Sequence, residues 1–210
     1  MPTWVADLEP LAGRRVVVMK PDIELFVIHS GGLPELNAGW TTYARQRVTE
    51  TLDQRLSGKK MTVISAERVD AEQEADPRAI QLVRLQSAVA ESILASHFER
   101  FDRLPTKEKR FDWSLGSEAQ LLGQRYQADY ALFVSFHENY PSAVATGPDS
   151  GRLSRRFAVL SLYRAGHAML VELETGQVVW FAEWDRRSPS LKSRRGVNAT
   201  LDAMLENFPG

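Results

Sequence analysis

Tyr130–Phe136 is the run that most constrains the fold. It is apolar at nearly every position, it is too short for a membrane span, and it is bounded by Ala128-Asp129 before and His137-Glu138 after. Such a run reads as a strand buried on both faces, which requires a sheet with layers on either side. It opens a β-rich stretch, Asp129–Ala182, in which two further runs follow: Phe157–Tyr163 with its continuation to Leu173, and Gln177–Ala182. Glu174-Thr175-Gly176-Gln177 between the last two has the composition of a hairpin turn. Gly166 inside the long run is expected to mark a bulge or bend.

The segments before this stretch supply what such a sheet needs. Val16-Val17-Val18-Met19 is a β-branched strand ended by Lys20-Pro21-Asp22. Ile23–Ile28 reads as an extended or edge continuation beyond the proline. His29–Gly39 is punctuated as a loop. A helix follows, with Thr41 or Thr42 as its N-cap, Tyr43, Val48, Leu52 and Leu56 at helical spacing, and Gly58 as its stop. Met61–Ile64 then completes a βαβ unit, so the first two strands should be parallel. A second helix starts at Pro77 and carries Ile80, Val83, Ile93 and Phe98 on its expected apolar face. A third spans Ser117–Tyr126, and Leu191–Phe208 closes the chain as an amphipathic helix. The expectation is an α/β (α+β) fold: a mixed sheet of about five strands, helices on both faces, a C-terminal antiparallel meander and a closing helix. A length of 210 residues suits one domain, 1–210.

Composition removes several functions. The chain has no cysteine, which excludes disulfides, thiol nucleophiles and Cys-ligated metals. A net charge of −1 argues against general nucleic-acid binding. The opening Met-Pro-Thr-Trp-Val-Ala-Asp-Leu shows neither a basic n-region nor an apolar h-region. The four histidines, His29, His97, His137 and His167, fall in separate elements, so no metal site is expected. Gly31-Gly32 lies between strand and helix, but Pro34 and Leu36 interrupt any phosphate-loop pattern, and no cofactor is expected.

Two contact sites remain. His137 and Glu138 stand where the buried run ends, and ligands of open α/β sheets bind at strand ends. Arg155 and Arg156, in a basic cluster with Arg152, and Trp184 near the end of the last strand are candidates for contact with a partner. Arginine clusters of this kind also permit peripheral contact with an anionic membrane.

Several motifs carry a resemblance. Val16-Val17-Val18-Met19-Lys20-Pro21-Asp22-Ile23-Glu24, Gly39-Trp40-Thr41, Leu104-Pro105-Thr106-Lys107, Phe111–Gly116, Ala128–Val134 and Leu173–Phe181 together resemble a group of uncharacterised proteobacterial envelope proteins. Their layout is similar to the α/β domain of the curli secretion lipoprotein CsgG and to the N-terminal domain of TolB. The resemblance implies a non-enzymatic periplasmic or outer-membrane-associated protein that binds a protein partner or itself. It brings no catalytic residues. The competing expectation is a hydrolase or small-ligand enzyme that uses a crevice at His137, Glu138 and the Gly31-Gly32 loop.

Overall fold

The computed structural model describes residues 3–6, 11–29, 33–98, 104, 106–107, 110–142, 163–184 and 189–210. Arg155, Arg156, Gly31, Gly32, the Ala143–Ser154 loop and the run from Phe157 to residue 162 lie outside them.

Its strands are β1 (Thr3–Val5), β2 (Arg15–Val18), β3 (Asp22–Ile28), β4 (Pro34–Leu36), β5 (Thr62–Ser65), β6 (Tyr130–Pro141), β7 (Arg164–Glu172) and β8 (Val178–Glu183). The helices are α1 (Ala38–Ser57), α2 (Ala66–Glu72), α3 (Pro77–Ile93), α4 (Gln120–Tyr126) and α5 (Arg194–Met204). All form one mixed sheet in the order β1-β8-β7-β6-β2-β5, with β3 between β6 and β4. The expected relations hold: β2 is parallel to β5 and to β6, and β6–β7–β8 is an antiparallel meander.

β6 is longer than its apolar run. Tyr130–Leu132 pair with β2, and Ser135–Pro141 pair with β3 along the same edge. Between them Met19, Lys20 and Pro21 stand opposite only Phe133 and Val134. Pro21 cannot donate a ladder hydrogen bond, so the chain bulges there and resumes pairing one residue later. β7 lines the other edge from Tyr130 to Glu138. His137 and Glu138 therefore lie inside a central strand rather than at its exit. Bonding on both sides carries β6 through polar residues where the apolar run alone suggests an end.

Alternation along β6 separates two cores. Tyr130, Leu132, Val134, Phe136 and Tyr140 pack with Trp180, Trp184 and the buried faces of α1 and α5. Ala131 and Phe133 pack with Met169, Phe181, α3 and α4. Trp180 and Trp184 share a face, both in the first core.

Local details depart from expectation. Asn37, not Thr41 or Thr42, caps α1 by accepting from the Trp40 N–H at 2.9 Å. Thr41 is drawn inward, where its hydroxyl accepts from the Leu25 N–H. The buried face of α3 is Ala79, Leu82, Gln86, Ala90 and Ile93, while Ile80 and Val83 are exposed. Small residues let this helix approach the sheet closely.

The ladder irregularity of β7 falls between Leu170 and Val171, not at Gly166. Gly166 serves a close approach instead: a Cβ there would lie 2.7 Å from the Phe136 ring and from the Ser135 carbonyl oxygen. The ring is fully buried and cannot yield freely. Gly166→Ala is expected to lower unfolding free energy by about 1–3 kcal/mol in urea titration, the cost of overpacking. An unchanged midpoint would contradict this packing.

Candidate functional site

The second half of β6 carries two polar clusters, one on each face. Period-two alternation puts neighbours 137 and 138 on opposite sides, so His137 and Glu138 do not form a pair.

Glu138 lies in the α1/α5 layer and is fully buried. Its carboxylate forms an ion pair with Arg164 of β7, directly opposite in the ladder. It also accepts from the Tyr140 hydroxyl and, at 3.3 Å, from the Leu191 N–H. Because the Tyr140 proton is committed to Glu138, Ser190 Oγ, 2.7 Å away, is the donor to the Tyr140 oxygen. Burial pushes the Glu138 carboxyl above its ordinary value, and the Tyr140 and Arg164 contacts pull it back only in part. The Arg164 guanidinium in turn sits 5.7 Å over the Trp184 ring. Trp184, expected at a contact surface, is 1% exposed and packs edge-on against Phe136. It presents no face to a partner. Oε2 takes the Tyr140 and Leu191 donors and Oε1 faces Arg164, so the contacts hold a structural carboxylate in place.

On the α3/α4 side, His137 lies 3.7 Å from both Asp22 and Glu24 of β3. That is ion-pair distance rather than a hydrogen bond. Asp22 raises the affinity of His137 for its proton, against the opposing effect of burial. His137 in turn lowers the Asp22 carboxyl. Deeper in the same layer, His167 stacks on Phe181 with ring centroids 5.5 Å apart. The Gln86 amide is 3.1 Å from His167 Nε2 and donates to it, which leaves the ring neutral with its proton on Nδ1. Burial, aided by the charge of His137, lowers the His167 pKa to about 4. Gln86 is a buried polar residue that periodicity did not flag; a glutamine among alanines on a helix face was its signal.

The two clusters differ in access: the Glu138 side chain is enclosed, whereas those of His137, Asp22 and Glu24 are partly exposed. Among the described residues no group of three His, Asp or Glu side chains is placed to hold a metal ion, and no helix is long and apolar enough to cross a membrane. His29, beside the undescribed glycine loop, pairs with Glu35 of β4 at 2.9 Å on the surface. A polar groove of about 540 Å³ opens at the opposite end of the parallel strands. Arg14, Arg15, Gln124, Asp129 and Glu172 line it. Asp129 there accepts from the Arg15 N–H, so this acid too is partly spent on the fold.

No family model and no curated protein matches the chain. Among solved structures it is similar to the PelC dodecamer from Paraburkholderia phytofirmans, at 14% identity and a TM-score of 0.40, covering 100% of this chain and 98% of that one. It is also similar to the LpoB C-terminal domain from Salmonella enterica, at 16% identity and a TM-score of 0.30, covering 85% and 84%. Lipoprotein GNA1162 from Neisseria meningitidis aligns at 11% identity and a TM-score of 0.33, covering 93% and 97%. Identities and scores at this level transfer no residue role.

The two histidines of the α3/α4 layer give a pH signature. The folded His167 value of about 4 lies below its ordinary 6.5, so its contribution to stability is complete above pH 6.5 and is lost as pH falls toward 4. His137, raised instead, contributes below its ordinary value and loses that contribution as pH rises. His167→Gln keeps a polar partner for Gln86 but does not titrate. Chemical denaturation at pH 7 and pH 4 is expected to show the wild type losing on the order of 3 kcal/mol more than this variant. Equal losses in the two proteins would contradict a buried neutral His167.

Proposed function

We propose that this chain is a non-enzymatic partner-binding module of the bacterial cell envelope, periplasmic or outer-membrane-associated. The envelope part rests on the sequence resemblance given above. The partner-binding part rests on one observation: the Glu138 carboxylate is spent on internal contacts, while among the described residues the β4 edge has no second strand and its apolar residues are exposed. Glu138 is fully buried and held by Arg164, Tyr140 and Leu191. By contrast every residue of β4 is exposed, with β3 bonded on one side. Leu33 just before it is 79% exposed and Leu36 within it 48% exposed. An exposed edge flanked by apolar side chains supports docking by strand addition or side-chain insertion. Pro34 removes one backbone donor and limits indiscriminate pairing. A protein partner in the envelope, or a second copy, fits this surface.

The test places a photo-crosslinking amino acid at Leu36, with a control at Gln46 on α1, in cells that make the protein naturally. We expect discrete adducts from Leu36 in the envelope fraction and none from Gln46. Leu33→Asp with Leu36→Asp is expected to reduce adduct yield at a nearby probe at Glu35 by about tenfold or more, as for removal of central apolar anchors, with no change in Tm. A protein confined to the cytosol without adducts would overturn the proposal.

A further inference from the structure

The first turn of α1, the end of β6 and the segment before α5 meet at an aromatic corner. Trp40 and Tyr140 stand with ring centroids 5.4 Å apart at 76°. The Lys192 ammonium lies 4.3 Å from the Trp40 centroid and 3.9 Å from the Tyr140 centroid. One cation is therefore held against two π faces at nearly right angles. Among the described residues Lys192 forms no ion pair with a carboxylate, so the rings are its principal partners there. The Tyr140 hydroxyl donates to the buried Glu138 carboxylate, which enriches the ring in electron density and strengthens its attraction for a cation. Tyr140 is 7% exposed and Trp40 half-buried, whereas Lys192 itself is exposed. The rings are thus held in the fold and their occupant lies on the solvent side.

Lys192 is held there by a short tether. Ser190 Oγ bonds Tyr140 and accepts from the Lys192 N–H at 3.2 Å. Leu191 is fully buried, and Ser193 caps α5 by accepting from the Gly196 N–H. A tethered group competes at an effective concentration in the millimolar range, so even a modest cation–π contact keeps the site filled. A primary ammonium is a poor best ligand for such a cage, because it is strongly hydrated and loses that hydration on entry. A quaternary ammonium has no N–H to desolvate and spreads its charge over methyl groups that fit aromatic faces.

We infer that Trp40 and Tyr140 form a binding cage for a quaternary alkylammonium ion, with Lys192 as its tethered internal occupant. The cage is vacated when the exposed Lys192 side chain swings into solvent, with Ser190 and Leu191 left in place. This goes beyond the partner-binding proposal and does not depend on it.

Lys192→Ala empties the cage while leaving both rings. The Trp40 indole N–H cross-peak, assigned by its loss in Trp40→Leu, is followed by NMR during titration with tetramethylammonium. Saturable shifts are expected for Lys192→Ala at millimolar ligand, with the wild type requiring about tenfold more, the handicap of displacing a tethered competitor. No saturable shift of other backbone resonances around the cage is expected for Trp40→Leu/Lys192→Ala. Butylammonium, the untethered mimic of a lysine, is expected to bind more weakly than tetramethylammonium. Phosphocholine and glycine betaine titrated in parallel separate a lipid headgroup from a free solute as the source of the cation. If Lys192→Ala does not fold, Lys192→Gln, which keeps the stem, takes its place. The inference is overturned by an absence of saturable shifts in the emptied variant, by equal binding in wild type and variant, or by binding that survives loss of Trp40.

Discussion

The buried Glu138–Arg164 ion pair is the interaction on which the upper half of the structure depends. It joins facing positions of β6 and β7, so it forms only if the two strands are in this register. A slip of one residue would turn every side chain of β7 to the other face and leave a buried carboxylate alone. An isolated charge in that layer is far costlier than a paired one. Tyr140, Ser190 and Leu191 extend the same network to the segment that leads into α5. The closing helix is thus fixed to the central strand by polar contacts as well as by Leu201 and Met204 in the core. Registry, rather than net stability, is the best account of why ions are kept in a core otherwise filled with aromatic and aliphatic side chains.

Two-sided burial of β6 also explains how chemistry is distributed in this protein. A strand with a packed layer on each face has no open end inside the sheet. Polar groups placed along it must find partners within the fold, and they do so separately on each side. The acid at 138 finds an arginine, a tyrosine and a backbone amide. The base at 137 finds two carboxylates of β3 and charges against the buried His167. The contacts proposed with other molecules lie at the periphery: the β4 edge and the corner of Trp40 and Tyr140.

Much of this was legible in the sequence. The β-branched run at Val16, the Pro21 break, the βαβ unit, the Thr175-Gly176 hairpin and the closing helix all follow from patterning and turn chemistry. What escaped was set by long-range pairing. Glu138 reads as a strand end because its partner Arg164 is distant along the chain. α3 carries apolar residues around much of its circumference, so Ile80 and Val83 compete with Ala79 and Leu82 for the inward face. The sheet settles the choice, since small residues and Gln86 fit against β7 and His167. Alternation could have separated His137 from Glu138 beforehand, once the strand was extended to Pro141. Trp184, a contact candidate by its place near the strand end, is drawn into the core by two-residue alternation with Trp180.

The central claim is that Glu138 is a structural ion of the core rather than a group available to a ligand. A double-mutant cycle between Glu138 and Arg164, followed by urea unfolding at pH 7, addresses it most directly. Glu138→Leu or Arg164→Met alone is expected to cost about 3–5 kcal/mol, because each leaves its partner uncompensated, and the pair together much less than the sum. Additive, sub-kilocalorie effects with a folded protein of unchanged stability would contradict the account and return Glu138 to the list of groups free to act on another molecule.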